Sequence, residues 1–425
     1  MKSIVIVAPS FAPSSYPPAI RTRFFASHLS EFGWRPIVLT VRPEFLEEPQ
    51  DPEFNTLLPK DLEVIRTAAI PQRLTREFGF GDLGLRSFPF HYCELSRLCH
   101  KGVDAILIPG PPWYPFCLGP MIGQRFRVPY ILDYIDPWVE SMAHEEKPSL
   151  KGRASRCAAL VLENVAVRNA AAIIAVSNGV NDLARHRYPE ISSKRFFAIP
   201  YGVEPGDFEV LRNQSKPCRQ LASYKENLNV CYAGAMLPKA YDTLRTLFRA
   251  VRKLRDTDPR AERFRFHFYG TTYATGESAR LLVLPTAREE GVEDMVIEHP
   301  ERIPYLDALR LLLSADLLLA LGSSDSYYAA SKIFPILLAR RPVLAILHDA
   351  SSVHDIMRRA GSGRLIVYND KLKVETCKDA IVGALREFLD GNRFEINDVG
   401  VEGIIRDFSA REMTRLLAHV LDEAV

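Results

Sequence analysis

Long apolar runs are missing from this chain: none approaches the roughly eighteen consecutive residues that a membrane-crossing helix requires, so a spanning protein is not expected. Cysteine is sparse as well. The seven present, at positions 93, 99, 117, 157, 218, 231 and 377, are odd in number and form no Cys-x-x-Cys, which argues against a zinc site or a disulfide framework and for a reducing compartment. Neither sign of charge is in excess. The 54 Lys plus Arg face 52 Asp plus Glu and leave a formal charge of +2, no global reason for a nucleic-acid partner. No internal repeat or low-complexity tract interrupts the 425 residues, a length that allows two domains of roughly 200 residues each. The apolar part of the opening Met1-Lys-Ser-Ile-Val-Ile-Val-Ala-Pro9 is too short for a secretory leader, so it reads as a first strand and the protein is expected in the cytosol.

What the chain does have is an alternation of strand and helix signals. Short apolar runs at 4–8, 37–40, 62–66, 105–108, 130–133, 172–176 and 196–199 read as one series of strands, and those at 229–233, 264–269, 295–298, 315–321, 343–347 and 364–367 as a second. Between them, 202–227 turns polar and contains Pro205-Gly206, so it reads as a linker. The stretch 316–347 organises the second series. Its buried-type strand ends in the polar Gly322-Ser-Ser-Asp-Ser326, Ser331 reads as the N-cap of a helix carrying Ile333, Phe334, Leu337 and Leu338 at helical spacing, and Arg340-Arg341-Pro342 stops that helix. A loop leaving a parallel strand and opening into a helix suits a phosphate, and Lys332 would add a charge there. The same residues also fit an ordinary αβ unit with a solvated lysine.

Taken in order, the landmarks are similar to those of bacterial sugar-nucleotide-dependent glycosyltransferases of family 4. Pro17-Pro18-Ala-Ile-Arg21 and Ile37-Val-Leu-Thr40 resemble the family's opening loop, first helix and second strand, and Leu132-Asp133-Tyr-Ile-Asp136-Pro-Trp138 its Asp-x-x-Asp-x-Trp segment. Ile174-Ala-Val-Ser177-Asn-Gly-Val180, Ile199-Pro-Tyr-Gly202-Val-Glu204, Tyr232-Ala-Gly234, Ser331-Lys332-Ile-Phe334 and Arg341-Pro342-Val-Leu344 follow at the matching places. The resemblance spans nearly the whole chain. It implies an α/β protein of GT-B fold, with two Rossmann-like domains facing each other across a cleft: 1–204 binding the acceptor, 228–400 binding the nucleotide sugar, and a carboxyl-terminal helix in 401–425 returning to the first domain. Three departures stand out: Pro335 replaces the acidic residue that holds the ribose, Tyr327 occupies the partner acidic position, and Gly234-Ala235 replaces a Gly-Arg pair, leaving Lys239 as the nearest cation.

The resemblance implies a retaining transferase of hexosyltransferase type in cell-envelope or capsular polysaccharide biosynthesis, with a nucleotide-diphosphate sugar as co-substrate, a glycan or lipid-linked acceptor and no other cofactor. Asp136 and Lys332 are the expected catalytic residues. Gly234, Lys239, Tyr327, Ala330, Ser331, Lys332, Ile333 and Phe334 are expected on the donor side, and Tyr16, Arg21 and Trp138 on the acceptor side. Asp136 either orients hydroxyls or is a turn aspartate; Arg21 either binds an acceptor phosphate or forms a surface salt bridge. Two other functions share the pattern, a sugar-nucleotide epimerase and a catalytically idle scaffold. Basic residues at 66, 73, 76, 86, 97 and 101, interleaved with Phe78, Phe80, Phe88, Phe90 and Tyr92, suggest an anionic membrane surface as a further partner and a peripheral location on the inner face; core packing of the aromatics is the alternative. No His-x-x-x-His is present to hold a metal, and Asp133 and Asp136 stand three apart, separated by bulky residues. Donor binding is therefore expected to be unchanged by EDTA; complete loss restored by magnesium or manganese would overturn this.

Overall fold

The structure, a computed structural model, describes residues 1–75, 81–141, 150–191, 195–214, 216–236, 238–274, 276–323 and 331–425. It divides into two compact units, Met1–Gly202 with Ala410–Val425, and Val203–Ser409. The first unit holds β1 (Lys2–Val7), β2 (Trp34–Val41), β3 (Glu63–Thr67), β4 (Ala105–Gly110), β5 (Tyr130–Tyr134), β6 (Ala172–Ala175) and β7 (Phe196–Ala198), ordered β3-β2-β1-β4-β5-β6-β7. Every pair in this sheet is parallel. Helices cover a parallel sheet on both faces, and β4 and β5 are accordingly buried at every residue.

In the second unit, β8 (Leu228–Ala233), β9 (Phe264–Tyr269), β10 (Val296–His299), β11 (Leu317–Leu321), β12 (Val343–His348) and β13 (Arg364–Tyr368) run in the order β10-β9-β8-β11-β12-β13, again all parallel. The helix Tyr241–Thr257 packs on it through Leu244, Leu247, Phe248, Val251 and Leu254. These are two Rossmann-like halves with short connections.

Two boundaries differ from the sequence reading. The segment read as a linker contains the helix Pro205–Arg212, whose Pro205 sits at its first position, where a missing N–H costs nothing, and whose Glu204 side chain accepts from the Gly206 N–H at 3.1 Å. Phe208 and Leu211 are buried, and Asp207 accepts from the Tyr305 hydroxyl at 2.7 Å, so this stretch belongs to the second unit. At the other end, 401–425 is not one helix. Asp398–Phe408 stays with the second unit, and only Ala410–Ala424 belongs to the first, where Trp34 Nε1 donates to Asp422 at 3.1 Å and the Thr414 hydroxyl to the Phe24 carbonyl at 3.3 Å.

Arg21 holds the first sheet's carboxyl-terminal edge together. Its guanidinium is 2% exposed, binds both oxygens of the fully buried Asp133 at 2.8 and 3.0 Å, donates to the carbonyls of Ile199 and Pro200 at 2.9 Å each, and lies against the rings of Phe25 and Tyr201. One side chain thus joins the first helix to the ends of β5 and β7, using the planar fork that only arginine offers.

In the basic and aromatic segment 66–101, Arg66 and Arg86 turn inward, while Arg73, Phe90 and Lys101 are exposed and Phe88 and Tyr92 half-buried. Arg66 donates to the carbonyls of Ala12 and Val41, Arg86 is buried on Ile70, Phe45 and Glu47, and Arg97 pairs with Glu94. Three of the six basic residues read there thus bind carbonyls or carboxylates; Arg76, Phe78 and Phe80 lie outside the described residues. Breaking a buried ion pair strands its partner, at a cost of about 3–5 kcal/mol. Arg21→Ala is therefore expected to lower the thermal midpoint of the first unit by many degrees, with Arg21→Lys giving little rescue; an unchanged midpoint would show that the guanidinium does not hold this edge.

Candidate functional site

In the second sheet the strand order reverses between β8 and β11, and ligands of open parallel sheets gather at such a point, beyond the carboxyl ends of the strands. The loops leaving these two strands carry Gly234 and Lys332. Lys332 Nζ lies 2.5 Å from the Tyr232 hydroxyl and 3.1 Å from the Ala235 carbonyl, and 4.2 Å from the centre of the Tyr232 ring. Gly234 is required under it. At φ +132° a side chain would be strained, and a Cβ would stand 3.0 Å from both Cε and Nζ of the lysine.

The residue as a whole is partly exposed, but its ammonium is packed among these groups. Burial first, and the positive charge of Arg302 second, push Lys332 down to about 7 from the usual lysine range. Among the described residues no carboxylate stands within ion-pair distance of it. Arg302 follows β10, its backbone and Cγ packed beside Gly270 at the end of β9 and its guanidinium 5.9 Å from the Tyr273 ring. Glu298, at the end of β10, fixes the neighbouring loop by accepting from the N–H groups of Leu282, Val283 and Leu284 and from the Thr271 hydroxyl. The strongest charged influence on this buried ammonium, among the described residues, is another cation.

The other donor-side expectations fare differently. Ser331 is not the N-cap: it lies in a turn, Lys332 occupies the cap position without a side-chain cap bond, and the helix Ile333–Leu338 has only six residues. Ile333 and Phe334 are core, Phe334 lying against Phe408, so neither side chain is open to a ligand. Pro335 sits in the first turn, where a missing N–H is tolerated. Lys239 is exposed on the turn Pro238–Ala240. Tyr327 and Ala330 lie outside the described residues.

In the first unit, the structure separates two aspartates that look alike in sequence. Asp133 is consumed by Arg21, so Arg21 is neither a phosphate ligand nor a surface pair. Asp136 is exposed just beyond β5, its backbone carbonyl held by Trp113 Nε1 at 3.1 Å. Trp138 is fully buried against Tyr114 and Phe116 and offers nothing to an acceptor; a tryptophan two residues past an exposed loop aspartate is here the plug beneath that loop. Tyr16 is partly exposed at the mouth of the helix Pro17–His28. Among the described residues no group of three or more His, Cys, Asp or Glu could hold a metal.

Residues 18–202 match the model of the glycosyl transferase 4-like domain. The match lies within the first unit. Over the whole chain, a glycosyltransferase from Rickettsia africae superposes with a TM-score of 0.61 at 14% identity, covering 100% of this chain and 98% of that one. Anabaena HepE in complex with UDP and glucose gives 0.64 at 14% identity over 99% and 100%. A UDP-forming trehalose-phosphate synthase from Burkholderia xenovorans gives 0.64 at 11% over 99% of each. No curated sequence matches significantly. The family resemblance and the two-domain Rossmann-like GT-B fold are borne out, and Lys332 and Gly234 lie in the second domain of that fold.

Missed by sequence reasoning were Arg302 and the phenol of Tyr232. Both become visible only once the strand order places the ends of β8, β9, β10 and β11 along one edge. Because a bound anion favours the ammonium, Lys332 must take up a proton when a diphosphate binds above about pH 7 and none below it. Calorimetry with UDP-glucose, whose phosphates do not titrate in this range, in buffers of different ionisation enthalpy should show about one proton taken up near pH 8 and little near pH 6. Equal uptake at both would remove Lys332 from the site.

Proposed function

We propose that the protein is a retaining glycosyltransferase that moves a sugar from a nucleotide-diphosphate donor to a glycan or lipid-linked acceptor in envelope or capsular polysaccharide synthesis. The observation that carries this reading is the ammonium of Lys332, packed on Gly234 at the switch point with Arg302 as its charged neighbour. Departure of a nucleoside diphosphate concentrates negative charge on the leaving phosphate, and preorganised cations stabilise that charge without reorganisation at the moment of reaction. In a retaining transfer a donor phosphate oxygen accepts the acceptor hydroxyl's proton as the new bond forms on the face the leaving group vacates. Asp136, exposed beyond β5 in the first unit, is the candidate for binding acceptor hydroxyls. Uridine diphosphate is the first base to test, since HepE was solved with UDP and the trehalose-phosphate synthase is described as UDP-forming. Pro335 supplies no carboxylate for a ribose, so affinity rests more heavily on the diphosphate.

Charge-assisted hydrogen bonds contribute roughly 1.5–3 kcal/mol. Lys332→Met, which keeps the volume and removes the buried charge, should weaken UDP-sugar binding by about ten- to a hundredfold without lowering the thermal midpoint. Arg302→Ala should weaken it less, and Lys239→Ala least. Unchanged dissociation constants for Lys332→Met would refute the donor site, and the absence of sugar transfer with every nucleotide sugar and acceptor, despite tight binding, would favour an idle scaffold.

A further inference from the structure

The helix Leu150–Arg168 returns the chain from the carboxyl edge of β5 to the amino edge of β6 in the first unit. Its inner face is anchored: Ala159, Ala166 and Val167 are buried, and the helix's one acidic residue, Glu163, is 1% exposed and bound by Arg187 at 2.5 Å, the Tyr188 hydroxyl at 2.9 Å and the Tyr134 hydroxyl at 3.2 Å. The outer face is apolar where a solvated helix would be polar. Leu160, Val161 and Val165 are 39%, 65% and 50% exposed, and Ala154 and Cys157 continue the stripe at helical spacing. Arg153 and Arg156 flank it, exposed and, among the described residues, without a carboxylate at ion-pair distance. Arg168 closes its far end, sharing its charge with Glu190 at 3.7 Å.

We propose that this outer face docks on an anionic lipid surface, with Leu160, Val161 and Val165 entering the headgroup boundary and Arg153, Arg156 and Arg168 meeting the lipid phosphates. The pairing of an apolar stripe with flanking arginines, and with its acid turned inward, is the chemistry of an in-plane interfacial helix. A second copy of the chain fits less well, because an isologous contact sets a basic face against itself with no exposed acid of that helix to answer it. The surface is distinct from the 66–101 segment, where Arg66 and Arg86 bind loop carbonyls. The helix starts from the same sheet edge as Asp136, so docking would bring lipid-borne hydroxyls to that residue; this last consequence alone rests on the transferase reading.

Flotation of the full chain with vesicles of phosphatidylcholine, and of equimolar phosphatidylcholine and phosphatidylglycerol, tests the proposal. The protein should float with the anionic vesicles at low salt, lose that binding as salt screens the charges, and stay down with the neutral ones. Val161→Glu with Val165→Glu, both at exposed positions, should reduce binding by roughly tenfold or more, with circular dichroism and UDP binding unchanged, and Arg153→Glu with Arg156→Glu should do the same. Absence of flotation at low salt, equal flotation of the Val161→Glu, Val165→Glu protein, or a dimer in sedimentation that Val161→Glu dissolves while vesicles capture nothing, would each overturn it.

Discussion

A lysine ammonium taken out of water, with a phenol and a carbonyl for company and an arginine as its charged neighbour, is the constraint on which this account rests. Desolvation without a counter-ion raises the energy of the charged form, which is why Lys332 is pushed down to about 7. A buried cation of this kind is costly on its own, and under the proposed function a bound phosphate would relieve that cost. The surrounding architecture serves that arrangement: parallel strands bring the ends of β8 and β11 together, Gly234 leaves out the Cβ that would displace the lysine, and the Tyr232 ring gives its charge a face to lie on.

Arg21 shows the opposite solution on the other sheet. It too is a buried cation near a carboxyl edge, yet Asp133 and two carbonyls accept four hydrogen bonds from it. The difference between these two buried cations is therefore a matter of partners, not of burial.

Most strands among the described residues coincide with an apolar run that is visible in the sequence, because buried parallel strands are nearly continuous in apolar residues, while the half-exposed β3 and β10 give weaker signals. The helix Pro205–Arg212 is hidden by its Pro-Gly start, which reads as a turn, and Leu83–His100 by Pro89 and by aromatics that resemble a surface patch. Gly234 and Lys332 are legible as short motifs, but their contact is not. Strand order alone brings Lys332 to the Gly234 loop and to Tyr232, 100 residues away in sequence, and the role of Arg302 depends on the same order. Arg21 misleads for the same reason. Its partner Asp133 lies 112 residues away, and nothing local distinguishes a buried arginine from one awaiting a phosphate.

The most direct measurement is a crystal structure with uridine diphosphate bound. The account predicts a phosphate oxygen within about 3 Å of Lys332 Nζ, over Gly234, with the Arg302 guanidinium turned toward the same diphosphate. A diphosphate seated elsewhere, with Lys332 still on the Tyr232 hydroxyl and the Ala235 carbonyl, would contradict it.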